Sequence, residues 1–100
     1  MIQETIKEMK KTQEKLEEEH PSEYTTLLGK IITELIEDKQ PDYTRYLREL
    51  QHLTNKIYEK TGYNDTILDL QVQINKLRNE LDIPDPDMII NTDKNGTYVQ

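Results

Sequence analysis

The chain has no cysteine, which excludes disulfides, thiolate zinc sites and cysteine nucleophiles together. Ala, Phe and Trp are absent too, and the glycines stand singly at positions 29, 62 and 96. Isolated glycines cannot build the loop that cradles a phosphate, and no cofactor is expected. Apolar residues are 33% of the chain, below the roughly 45–50% usual in globular domains. The longest apolar run, Met88-Ile89-Ile90, is far short of the roughly 20 residues that span a bilayer. Residues 1–20 hold six glutamates and no apolar signal-peptide core, so a cytoplasmic location is expected. A net charge of −7 runs against the Lys and Arg excess that drives backbone binding, so no nucleic-acid partner is expected.

What is present is large and periodic. Leu, Ile and Val number 24, enough to form one small core when gathered into a seam. Between 24 and 36 the apolar residues are Tyr24, Leu27, Leu28, Ile31, Ile32, Leu35 and Ile36. Their spacing of three and four fits a helix and contradicts a strand's period of two. Ser22 is a good N-cap with Glu23 in the first turn, and Pro41 stops the helix near Lys39. Leu28, Ile32 and Leu35 are expected at the bundle centre. Gly29, inside this helix, is expected to mark a close helix–helix approach.

Three further helices follow from the same signals. The first, Ile2 to about His20, has the thinnest stripe: Ile2, Ile6, Met9 and Leu16, with Gln13 and His20 completing it. Glutamates crowd its C-terminal half, against the helix dipole, so its last turn is expected to fray. The third begins at Asp42 and carries Tyr43, Tyr46, Leu47, Leu50, Leu53, Ile57 and Tyr58 before Gly62. The fourth takes Asn64 as N-cap, with Tyr63 and Leu68 placed to staple its start, then Ile67, Leu70, Ile74, Leu77 and Leu81. Pro84 ends it. Short connections make consecutive helices antiparallel, so residues 1–83 read as an all-α, up-down-up-down four-helix bundle. Residues 84–100 read as an irregular or hairpin-like C-terminal tail, with Asp93-Lys94-Asn95-Gly96 as its turn.

Few residues suggest chemistry. Asn91 to Gly96 matches the first half of a calcium loop, but the bidentate Glu at its twelfth position is missing, so a turn is expected and no metal. His20 and His52 lack ligand or base spacing and read as surface histidines. No nucleophile–base pair is evident, and the three arginines read as exposed, so the chain is not expected to be an enzyme. Arg45, Arg48, His52, Lys56 and Lys60 form a basic stripe on the third helix. That stripe reads first as a solvated face paired with neighbouring glutamates, each pair contributing ~0–1 kcal/mol. The candidate partner-binding residues are Arg45, Arg48 and Lys56 with Met88, Ile89, Ile90, Tyr98 and Val99 of the tail. Apolar residues on a short exposed segment serve a partner better than they serve solubility.

Glu23-Tyr24-Thr25-Thr26-Leu27-Leu28 and Leu35-Ile36-Glu37-Asp38-Lys39 at the two ends of the second helix resemble the immunity proteins of pediocin-like bacteriocins, the enterocin A type. Tyr46-Leu47 through Leu50 and Leu53, and the irregular tail, add to the resemblance, which extends over nearly the whole chain. It implies a cytoplasmic four-helix bundle protecting a Gram-positive producer cell. Such a protein acts at the cytoplasmic side of the mannose phosphotransferase receptor, with the C-terminal half setting specificity. The alternative is a small phage- or plasmid-type helical interaction protein, an inhibitor or assembly factor. In that reading the strict seam of the fourth helix and the sparse seam of the first belong to a homodimeric coiled coil. Monomer and homodimer both stay open.

Overall fold

Each break between helices is set by a capping side chain close in sequence. In the computed structural model, which describes residues 2–83, the elements are α1 (Ile2–Glu19), α2 (Glu23–Glu37), α3 (Tyr43–Thr61) and α4 (Asp65–Leu81). The tail expected at 84–100 lies outside the described residues. Ser22 Oγ accepts from the Thr25 N–H at 3.2 Å while Thr25 Oγ1 accepts from the Ser22 N–H at 2.9 Å, a closed capping box. Asp42 and Asn64 accept from the Arg45 and Ile67 N–H groups in the same way. Gly62, at φ 78°, ends α3 in a conformation that disfavours residues with a Cβ.

The helices form a ring. Each packs on its neighbours in sequence, and α1 closes on α4. Thr5 near the start of α1 donates to Glu80 near the end of α4, and Glu19 at the end of α1 accepts from Thr66 at the start of α4, so these two run antiparallel. The arrangement is the four-helix bundle that the spacing predicts. Leu28 and Ile32 are fully buried and Leu35 is nearly so, alongside Ile6, Met9 and Leu16 of α1 and Leu50 and Ile57 of α3. Ile67, Leu70, Ile74 and Leu77 of the α4 seam are buried in this core, and Leu81 packs against it half-buried.

Four expectations need correction. Helix α2 ends at Glu37, short of Lys39, because Asp38 turns extended and its carboxylate takes the Gln40 N–H and the Tyr46 hydroxyl. At the end of α1, the crowded glutamates bind neighbours: Glu17 accepts from Gln13 and Thr26, and Glu19 from Thr66. Tyr63 is 63% exposed and staples nothing. Most telling is Arg78, expected at the surface and only 6% exposed. It lies between α3 and α4, donating to Asn75 Oδ1 at 2.8 Å and Gln51 Oε1 at 3.1 Å, where amide oxygens offset its desolvation.

Two polar clasps interrupt the apolar seams. Between α3 and α4, the Gln51 and Gln71 amides exchange hydrogen bonds at 2.7 and 2.8 Å, and each also donates to an Asn one turn on, Asn55 and Asn75. Between α1 and α2, buried Gln13 donates from Nε2 to the Thr25 carbonyl at 2.9 Å. Gly29 makes room for it, since a Cβ there would lie 2.6 Å from Gln13 Nε2. The close approach expected at Gly29 is thus met by a side chain of α1.

Candidate functional site

The apolar stripe of α2 is wider than the core can cover. Its inner edge, Leu28, Ile32 and Leu35, is buried, but Leu27 is left 44% exposed and Ile36 38%. Leu27 and half-buried Ile31 face α3, where Leu53 is buried but Arg48 and His52 are exposed. A groove results, lined by Leu27 and Ile31 of α2 and by Arg48, Glu49, Gln51, His52, Leu53 and Asn55 of α3. Its floor is apolar, and its α3 wall carries one cation, Arg48, beside the carboxylate of Glu49 and the polar groups of Gln51, His52 and Asn55, a mixture that suits contact with another polypeptide.

The basic stripe divides into two groups. Arg45 is engaged within α3: its Nη1 lies 3.3 Å from Glu49 Oε2, and its guanidinium sits 4.7 Å from the Tyr46 ring centroid. Lys60 stands 5.6 Å from the centre of the Tyr24 ring. Arg48 and Lys56 have no hydrogen bond, ion pair or ring contact among the described residues, and neither has His52. Within the stripe, Lys60 alone reaches a neighbouring helix, through the Tyr24 ring of α2, and among the described residues no member pairs with a glutamate of another helix. Glu49 itself has a second oxygen, Oε1, that is shielded from water and accepts no hydrogen bond among the described residues.

At the top of this wall, Tyr46 is 3% exposed and donates from its hydroxyl to Asp38 Oδ2 at 3.0 Å. Burial pushes the phenol above its ordinary value, and the hydrogen bond and negative charge of Asp38 add to the shift. The contact locks the α2–α3 connection and so holds the two groove walls in register.

Of the candidate residues, Arg45, Arg48 and Lys56 thus share one helix, with Arg48 in the groove and Arg45 committed beside it. Met88, Ile89, Ile90, Tyr98 and Val99 lie outside the described residues. Sequence reasoning missed Leu27 and Ile31 as site residues because it read the α2 stripe only as a surface for packing against neighbouring helices. Seven apolar positions in thirteen residues is more than one face needs, and that excess was the available signal. Among the described residues, no helix is long and apolar enough to cross a membrane. Comparisons with protein-family models, curated proteins and solved structures find no match to this chain.

Proposed function

We propose that this chain is a non-catalytic bacteriocin immunity protein. It protects its producer from inside the cell by docking on the cytoplasmic side of the bacteriocin's membrane receptor. The observation carrying this reading is the α2–α3 groove, with its apolar floor and an Arg48 side chain that is unpaired among the described residues. Such a surface suits recognition of a protein more than turnover of a small molecule. The four-helix architecture and the sequence resemblance of α2 and α3 support the same reading. The rival, a homodimeric coiled coil using the seams of α1 and α4, has less support, because Ile6, Met9 and Leu16 of α1 and Ile67, Leu70, Ile74 and Leu77 of α4 pack in the chain's own core.

The test is protection. Expressed in a strain sensitive to pediocin-like bacteriocins, the protein should raise survival against at least one member of a bacteriocin panel. Arg48→Glu with Leu27→Asp should abolish that protection while the protein stays folded by circular dichroism. No protection against any member, with the folded protein present in the cells, would overturn the proposal.

A further inference from the structure

We infer that the α2–α3 groove receives one amphipathic helix of a partner protein, a helix whose apolar stripe is flanked by carboxylates at helical spacing. This rests on the docking reading above and names the chemistry of what docks. Leu27, Ile31 and Leu53 supply an apolar floor that a row of side chains at i, i+3 or i+4 can fill. Arg48 and Lys56, cations unpaired among the described residues, stand at i and i+8 with the His52 imidazole between them at i+4, roughly 12 Å of helix. Carboxylates four residues apart on a facing helix would meet them in step.

Charge selects that orientation. Counted with its cap Asp42, α3 carries four cations against three carboxylates, while the chain as a whole is −7. The facing helix α2 carries one cation, Lys30, against Glu23, Glu34 and Glu37, so the acidic flank of an incoming helix is favoured on the α3 side and disfavoured on the α2 side, which fixes its orientation. A second copy of this chain would bring −7 against −7, which argues against self-association through the same face. Glu49, the carboxylate in the groove lining, is held by Arg45 at 3.3 Å, which leaves Arg48 and Lys56 as the charges open to a partner.

The experiment uses the full chain and synthetic helical peptides of about four turns. One peptide has a leucine stripe flanked on one side by glutamates at i, i+4 and i+8. The second carries lysines in place of the glutamates. Fluorescence anisotropy should show the glutamate peptide binding at least about tenfold more tightly than the lysine peptide, with affinity falling as salt rises. Methyl NMR shifts should move at Leu27, Ile31 and Leu53 and stay fixed at Val72 on α4. Arg48→Glu with Lys56→Glu should reverse the preference between peptides without altering the circular dichroism spectrum.

No charge preference, or perturbation centred away from the groove, would overturn the inference. So would sedimentation showing a dimer that buries Leu27. If the full chain refuses the peptide but a Met88→Ser, Ile89→Ser, Ile90→Ser variant accepts it, the occupant is the chain's own segment and the inference also falls. Peptide binding without protection from bacteriocin would leave this inference standing and remove the immunity reading alone.

Discussion

The two helical hairpins of this bundle, α1–α2 and α3–α4, each bury one polar clasp, and the clasps are built on different principles. In α3–α4 the contact is reciprocal, with Gln51 and Gln71 each donating to and accepting from the other. In α1–α2 it is one-sided: Gln13 reaches a backbone carbonyl through the space left by Gly29. A reciprocal pair fixes register because neither amide is satisfied if the helices slip. A one-sided clasp fixes it by shape, because the amide fits only where the facing helix lacks a Cβ. Specificity is therefore held by mutual need in one half and by a hole in the other.

The largest effect should come from the apolar seam, which is the yardstick for both clasps. Ile32→Ala should destabilise the fold by ~2–5 kcal/mol, seen as a lower urea midpoint with unchanged slope. A midpoint unchanged within error would mean that the α2 stripe is not core.

Next in size is Gln51→Leu, which removes a partner of Gln71 and an acceptor of Arg78 and should cost ~1–3 kcal/mol. Adding Gln71→Leu should return part of that loss, because the second amide is no longer stranded. Strict additivity of the two in a double-mutant cycle would show that the pair is not reciprocal in solution.

The one-sided clasp should behave in the opposite way. Gly29→Ala gains ~1 kcal/mol of helix propensity but drives a Cβ into the Gln13 amide, so it should lower the midpoint. In a Gln13→Ala background the same substitution should raise it. A rise in both backgrounds would show that Gln13 swings clear at no cost and that the hole is incidental.

The smallest effect lies at the join between the hairpins, in the Tyr46–Asp38 contact. Because the Tyr46 phenol titrates above its ordinary value when folded, the unfolded chain releases that proton first as pH rises. Its contribution is complete below the ordinary tyrosine range and is lost as pH climbs through that range toward the folded value. Tyr46→Phe should therefore flatten part of the alkaline fall in urea midpoint. Parallel pH curves for the two proteins would remove the contact from the account.

How much of this was legible depended on the range of the interaction. Ser22, Asp42, Asn64 and Gly62 were readable because a cap is settled within three or four residues of itself. The core positions of α2 were readable from their period. The Gln51–Gln71 pair was not, since its members lie 20 residues apart and each reads as an ordinary polar helix residue. A signal existed in Gln51/Asn55 and Gln71/Asn75, the same pair at the same spacing on adjacent helices. Arg78 was misplaced for a related reason: an arginine is called to the interior by waiting acceptors, and those sit partly on another helix. The groove escaped because periodicity gives the width of an apolar face and not which part a neighbour leaves uncovered.

The closing of the ring has a kinetic consequence. Contacts between successive helices join nearby stretches of chain, whereas the Thr5–Glu80 hydrogen bond joins residues 75 positions apart. Closing the longer loop has the greater entropic cost, so hairpins should assemble early and α1 should dock on α4 last. The α1–α4 face then acts as the latch of the folded state. Weakening it at Thr5 or Thr66 should speed unfolding while leaving the folding rate nearly untouched, so this seam sets how long the native bundle persists.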